Sequence, residues 1–334
     1  MSARAPLAVV VLNYRTGTMT VDCLRSLAAE VAEGERVVVV DNASGDGSAE
    51  HIAAAIEAEG WGSWATLVEA EGNHGFSAGN NVGVLAVDAA AYFLLNSDTL
   101  VRPGALAALR EALAAHPEVG LFSPRLEWPD GEPQRSVFRD PSPWSELERA
   151  AGTGPISRLL ARRIVAPPVV DEPVPFEWAS FAAILVRREV FARIGLMDEG
   201  YFLYFEDIDF CRRARRAGVA SLHWPAARIV HLRGGSGPVK ENLARRRRQP
   251  AYYWQARSRF FAKAYGRLGL LFANLMWLCG RGVSLARELV RNKEPHLCEK
   301  EGRDIWHNLT RPVDPAECWR GSFPREDRPD PPQA

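Results

Sequence analysis

The chain is short of lysine, of paired cysteines and of long uninterrupted apolar runs, and each shortage narrows what it can be. Cys23, Cys211, Cys279, Cys298 and Cys318 are odd in number, widely spaced and without a CxxC pair. That pattern argues against both a disulfide framework and a zinc site, and a reducing compartment is the simpler reading. Lys240, Lys263, Lys293 and Lys300 are the only lysines, so arginine carries most of the positive charge. Acidic and basic residues cancel at 41 each, which removes any argument for nucleic-acid binding from net charge. The six apolar residues Leu7 to Leu12 are too few for a signal-peptide core. Leu268 to Cys279 is interrupted by Gly269 and Asn274 and falls short of the roughly 18 residues of a spanning helix. The expectation is a cytoplasmic protein that can lie on a membrane but not cross it.

What is present is a soluble composition, 47% hydrophobic and 25% charged, which excludes wholesale disorder over 334 residues. Leu7 to Leu12 and Arg36 to Val40 are continuous apolar runs, each followed by a helical pattern, as expected of parallel strands covered on both faces. Ala65 to Glu69 with Ala78 to Val87, and Tyr92 to Leu95 with Pro103 to Ala115, repeat the alternation. Four strand-helix units predict an α/β doubly wound sheet. Polar residues stand just after each strand: Asn13, then Asp41 and Asn42, then Asn73, then Asn96 and Asp98. Open parallel sheets bind ligands outside the carboxyl ends of their strands, so these loops are expected to meet at one crevice.

Trp128 to Pro175 is rich in proline and glycine and reads as an excursion lying over that crevice. Two helices, about Glu241 to Tyr265 and Leu268 to Arg291, are expected to finish the folded part. The resulting division is 1–237 for the α/β part, 238–292 for a basic, amphipathic helical region and 293–334 for a poorly ordered tail. The densest chemistry is Glu206-Asp207-Ile208-Asp209, three carboxylates in four positions at a helix start. Like charges raise each other's pKa while a helix N-terminus favours ionisation, so the cluster suits handling a proton or a cation. An acidic first turn paired with Arg212, Arg213, Arg215 and Arg216 is the purely structural alternative.

The ordered set Val9-Val10-Val11-Leu12-Asn13-Tyr14, Val40-Asp41-Asn42-Ala43-Ser44-Gly45-Asp46, Asn73-His74-Gly75-Phe76, Asn80-Asn81, Leu94-Leu95-Asn96-Ser97-Asp98, Tyr204-Phe205-Glu206-Asp207 and His231 resembles the inverting family 2 glycosyltransferases, and among them the rhamnosyltransferase-like group. The resemblance implies a GT-A fold, with a mixed, mainly parallel sheet, flanking helices and C-terminal helices. It implies inverting transfer of a sugar, rhamnose first, from a dTDP- or UDP-sugar to a glycan or a polyprenyl-diphosphate-linked acceptor in cell-surface polysaccharide synthesis. Asp207 would be the general base, while Glu206 would support it by holding the helix start and neighbouring Arg side chains or would orient the acceptor. Asp41 would accept from the base N3–H, Asn13 and Asn42 would line the base and ribose pocket, and Asn73, Gly75 and Asn81 would lie beside the donor sugar. Asn96-Ser97-Asp98 stands where the family carries DxD, so Mg2+ or Mn2+ would rest on Asp98, with His231 as a further ligand. Trp178 could stack on a sugar or belong to the core, and Phe181 could reshape the acceptor pocket.

Between Lys240 and Arg267 nine bases face one acid, giving +8, interleaved with Tyr252, Tyr253, Trp254, Phe260 and Phe261. This suits an interfacial helix on an anionic leaflet at the inner face of the plasma membrane, and a solvated basic face is the plain alternative. A protein that binds nucleotide sugars or nucleic acid without transfer is the rival reading. It leaves the carboxylate cluster without a purpose, and nucleic acid is not an expected partner.

Overall fold

The computed structural model describes residues 4–233, 239–290, 294–313 and 323. The chain runs β1 (Ala8–Asn13), α1 (Gly17–Ala28), β2 (Arg36–Asp41), α2 (Ser48–Ala58), β3 (Ala65–Glu69), α3 (Phe76–Ala86), β4 (Ala91–Asn96), β5 (Thr99–Val101), α4 (Ala105–Ala115) and β6 (Val119–Glu127). It continues through β7 (Val137–Phe138), α5 (Pro143–Ala151), α6 (Gly154–Leu159), β8 (Trp178–Ala179), β9 (Ala183–Arg187), α7 (Arg188–Ile194), α8 (Glu206–Arg216) and β10 (Ala220–His231). Last come α9 (Val239–Ala244), α10 (Ala251–Leu289) and α11 (Glu301–Asp304).

Eight strands form one sheet in the order β3-β2-β1-β4-β9-β6-β10-β5. β9 runs antiparallel to β4 and β6, β5 runs antiparallel to β10, and the remaining pairs are parallel. The continuous apolar runs have a direct cause. Leu7, Val9 and Val11 enter the core under α1, α2 and α4, while Ala8, Val10 and Leu12 enter a second core that includes Val84, Phe191 and Phe210 from α3, α7 and α8. A strand covered on both faces needs no polar alternation. The parallel registers set Asn13 opposite Asp41 and Leu12 opposite Asn96, so three strand ends lie side by side.

The C-terminal part departs from the sequence reading in three ways. First, the aromatics expected to face a membrane pack inward: Trp254, Phe260 and Phe261 are buried, Tyr252 and Tyr253 half-buried. Arg257, 1% exposed, is engaged by Glu146 of α5 at 2.8 Å and by Asn274 at 2.8 Å, and Arg259 by Asp198 at 2.8 Å. Four of the nine bases therefore neutralise buried or half-buried acids: Arg248 pairs with Asp304, Arg257 with Glu146, Arg259 with Asp198, and Lys263 with Asp198 and Asp209. Second, α10 runs through 39 residues with a break at Gly266 (φ 75, ψ 173), and by length and composition alone it could cross a membrane. Its outward apolar residues lie beyond the break, from Leu268, 81% exposed, through Leu271, Phe272, Leu275 and Leu278 to Leu289. Third, 294–313, expected to belong to a poorly ordered tail, carries α11 and buries Ile305, whose carbonyl accepts from Asn274 Nδ2 at 2.9 Å. The 237/238 boundary and most of the remaining tail lie outside the described residues.

The 128–175 excursion also differs from expectation. Its helix α5, capped by Ser142 with Ser145, packs on α10, and among the described residues none from 128–175 lines the crevice below.

Candidate active site

Strand ends β1, β2 and β4 and the turn before α8 build two layers, a buried brace and an open crevice. In the brace, Asn13 is wholly buried and its amide is fully engaged. Its Nδ2 donates to Asp41 Oδ1 (2.6 Å) and Ser44 Oγ (3.2 Å), and its Oδ1 accepts from Thr16 N (3.2 Å), Thr16 Oγ1 (2.9 Å) and Thr20 Oγ1 (2.9 Å). Asp41 accepts from Ser44 as well, at Oδ1 from Oγ (2.6 Å) and at Oδ2 from the backbone N–H (2.9 Å). Loop chemistry has thus claimed Asp41 in this arrangement. Thr16 Oγ1 lies 2.7 Å from Ser97 Oγ, which ties the brace to the Asn96–Asp98 turn.

A second brace holds the α3 entry. Asn42 Nδ2 donates to Asn73 Oδ1 (3.0 Å) and Gly75 O (3.2 Å), and Asn73 Oδ1 accepts from Gly75 N (3.0 Å). Gly75 sits at φ 95, and a Cβ there would stand 2.2 Å from Phe202 O. Glycine is required because the loop before α8 crosses at backbone contact. A Cβ at Gly79 or Gly83 would instead meet side chains of β1, Leu12 at 2.4 Å and Val10 at 2.3 Å. Asn81 is engaged by Met197, donating to its carbonyl (2.9 Å) and accepting from its N–H (3.0 Å), and donates to Glu199 Oε1 (2.9 Å). Trp178 stacks on Phe138 at 4.3 Å and donates from Nε1 to Arg139 O. Asn13, Asp41, Asn42, Gly75, Asn81 and Trp178, expected to touch substrate, all hold loops here and do not line the crevice.

The crevice has a volume of about 400 Å³ and is bordered by Asn96, Ser97, Asp98, Glu206, Asp207 and His231. Asp98 and His231 are both buried, with Oδ1 and Nε2 3.5 Å apart. Phe181 lines it too, its ring against Phe210 at 5.6 Å and its backbone N–H on Asp207. Arg233, not anticipated from sequence, reaches the crevice mouth with Nε on Gln134 Oε1 (2.5 Å) and its guanidinium over Trp128 (5.3 Å). Burial lowers its pKa against the pull of Asp98. Only its position two residues beyond the strand-end His231 could have suggested it.

The turn into α8 is strained. Tyr204 (φ 74) and Phe205 (φ 68) are consecutive left-handed residues with bulky side chains, a conformation that needs outside support. Support comes from α10, where Tyr253 meets both rings at 5.8 and 5.7 Å and Phe260 meets Phe205 at 5.6 Å. The turn starts α8 with its acids in place. Asp209 is structural, held by Arg213 (2.8 Å), Lys263 (2.7 Å) and Tyr201 (3.3 Å). Glu206 is buried, and burial followed by the nearby charge of Asp207 pushes its carboxyl well above the usual range. Burial also pushes Asp207 up, to about 7, while the N–H groups of Ile208, Asp207 and Phe181 restrain the rise. Adjacent acids with separated titrations leave one protonated and one available as a base near neutrality.

The model of the Glycosyltransferase like family 2 matches residues 4–266. The chain belongs to that family. An N-acetylglucosaminyl-diphospho-decaprenol L-rhamnosyltransferase of Mycobacterium tuberculosis is 27% identical over 258 residues, covering 69% of this chain and 77% of the relative. The Low-salt glycan biosynthesis hexosyltransferase Agl10 of Haloferax volcanii is 26% identical over 221 residues, covering 64% of this chain and 62% of the relative. Among solved structures, a mannosyltransferase from Pyrobaculum calidifontis in complex with GDP-Man and Mn2+ superposes with a TM-score of 0.53 at 18% identity, over 86% of this chain and 76% of the other. GalNAc-T7 with UDP, GalNAc and Mn2+ gives 0.56 at 16%, over 91% and 58%. The glycosyltransferase therefore has the GT-A fold that its motifs implied.

Among the described residues no group of three or more His, Cys, Asp or Glu side chains is placed to hold a metal. A two-ligand site remains compatible with the glycosyltransferase's crevice: both ring nitrogens of His231 are buried without a hydrogen-bond partner, beside the Asp98 carboxylate. A nitrogen donor next to one hard oxygen suits a divalent cation whose other ligands come from a diphosphate and water.

Proposed function

We propose that the crevice carries out inverting transfer of a sugar, rhamnose first, from a dTDP- or UDP-sugar to a hydroxyl of a glycan or polyprenyl-diphosphate-linked acceptor. The reading rests above all on one observation: Asp207, with its affinity for protons raised toward neutrality, borders the same cavity as Asp98 and His231. The relatives' names supply the substrate classes, since one is a rhamnosyltransferase acting on a diphospho-decaprenol sugar and a structural neighbour holds GDP-Man with Mn2+.

Asp207 takes the proton of the incoming hydroxyl as that oxygen attacks the anomeric carbon from the side opposite the nucleotide. One displacement inverts the centre. Phe181 N–H and Ile208 N–H keep Asp207 oriented and ionisable, and protonated Glu206 keeps a second negative charge out of the pocket. Asp98 and His231 would hold Mg2+ or Mn2+, which supplies neutralisation of the diphosphate charge when bound. Arg233 adds a fixed positive charge on the same side. The exposed apolar stripe of α10 beyond Gly266, with Trp144 packed edge-on against Phe272, supports contact with a membrane surface where a lipid-linked acceptor would reside.

The test is nucleotide release from a panel of nucleotide sugars with Mn2+, with and without EDTA. Release from a dTDP- or UDP-sugar that EDTA suppresses supports the reading. No release from any donor in the presence of acceptor contradicts it.

A further inference from the structure

A second and larger cavity, about 730 Å³, opens between the Asn73–His74 loop, α10 and the segment 308–313. Its walls are shared with the crevice through one loop, because Phe202 faces this cavity while Leu203 and Tyr204 face the other. Phe202 is fixed there by Tyr252 of α10, with ring centroids 5.6 Å apart. Two cavities separated by a single loop can be occupied by two ends of one reaction complex.

The charge in the larger cavity is unbalanced. Arg259 is neutralised by Asp198, and Glu199 accepts from Asn81. Arg267 and Arg311 are exposed, line the cavity, and form no ion pair or hydrogen bond among the described residues. Two guanidinium groups that line one cavity without a carboxylate partner among the described residues are a receptor for a multiply charged oxyanion, above all a phosphate. Arg267 also immediately follows the Gly266 break, and Leu268, the next residue, begins the exposed apolar stripe of α10. An anion-binding group thus adjoins the start of a lipid-compatible surface.

We propose that this cavity binds the diphosphate of the acceptor, with Arg267 and Arg311 as its contacts, so that the sugar beyond the diphosphate reaches Asp207 across the Phe202–Tyr204 loop. The inference rests on the transfer reading given above and adds the site at which the acceptor is held.

The experiment uses the full chain, with farnesyl diphosphate and inorganic pyrophosphate as probes and UDP and dTDP as controls, in the native protein, an Arg267→Gln/Arg311→Gln variant and an Arg267→Lys/Arg311→Lys variant. Loss of two charge-assisted contacts is expected to weaken farnesyl diphosphate binding by about tenfold or more. Lysine is expected to restore part of it, and nucleotide affinity is expected to stay within about twofold. Unchanged farnesyl diphosphate affinity in the glutamine variant overturns the proposal, as does an equal loss of nucleotide binding. Pyrophosphate binding as tight as farnesyl diphosphate binding would assign a free diphosphate and overturn the acceptor assignment. Normal nucleotide release from a donor alongside unchanged farnesyl diphosphate binding would sink the cavity and leave the transfer reading standing. No nucleotide release, with farnesyl diphosphate binding still dependent on the arginines, would do the reverse.

Discussion

His231 Nε2 stands 3.5 Å from Asp98 Oδ1, and neither ring nitrogen has a hydrogen-bond partner among the described residues although the residue is only 5% exposed. Buried imidazoles normally donate from one nitrogen and accept at the other, so an unsatisfied ring beside a carboxylate marks a place kept for a ligand. Removing either side chain is expected to weaken Mn2+-dependent nucleotide binding about tenfold to a hundredfold while leaving metal-free binding unchanged. Titration of His231→Ala and Asp98→Ala with UDP or dTDP, with Mn2+ and then with EDTA, checks this. Equal affinity with and without the metal in all three proteins would remove the cation from the account.

The proton affinity of Asp207 sets a pH dependence with a definite sign. A carboxyl whose folded pKa lies above its unfolded value binds more protons when folded, so its burial is tolerated below about pH 4 and destabilises progressively toward pH 7. Asp207→Asn is therefore expected to gain stability at pH 7.5, on the order of 1–2 kcal/mol, with the gain vanishing near pH 4. Chemical denaturation at the two pH values measures it. In the native enzyme the same titration gives a kcat/KM that rises with pH and levels off above about 7, since only the ionised carboxylate can accept the acceptor's proton. A flat profile from pH 5 to 8 would contradict the base assignment.

The order of strands and helices, the mainly parallel sheet and the α8 acids were legible in the sequence because each rests on local pattern: apolar runs such as Val37 to Val40, and three acids at one helix start. What each polar loop residue does was not legible. Asn13, Asp41, Asn42 and Asn81 have the residue types of ligand contacts, yet their hydrogen bonds run to Ser44, Thr20, Gly75 and Met197, partners fixed only by the fold. The burial of Arg257 and Arg259 was equally hidden. A run of arginines reads as a solvated face until Glu146 and Asp198 are known to lie beneath it.

The Glu146–Arg257 pair gives a structural prediction that is independent of chemistry. Against the upward push of burial, Arg257 and Arg149 hold the Glu146 carboxyl below the usual range. Glu146→Gln strands a guanidinium that is 1% exposed, and roughly 3–5 kcal/mol of stability should be lost at neutral pH. The sign for a depressed carboxyl is opposite to that of Asp207: its stabilisation is present above about pH 4 and fades as pH falls further. Urea unfolding at pH 7 and pH 3 would show the difference between native and variant shrinking in acid.

Gly75 tests whether its loop contact is steric. Gly75→Ala forces a Cβ against Phe202 O and places alanine at φ 95, so a loss of roughly 2–4 kcal/mol is expected, together with lower turnover as the turn into α8 shifts. Thermal unfolding and nucleotide release measured on the same sample check both. Native stability in the variant would mean that the two loops do not approach as described.

The central claim is that Asp207 removes the acceptor proton in a crevice that binds the donor without its help. Its most direct measurement is sugar transfer and nucleotide affinity in parallel, native protein against Asp207→Asn, with the donor that the native protein turns over. Transfer is expected to fall by at least about a thousandfold, at the upper end for loss of a general base, with nucleotide affinity held within a few fold. Transfer at the native rate by Asp207→Asn would contradict the account.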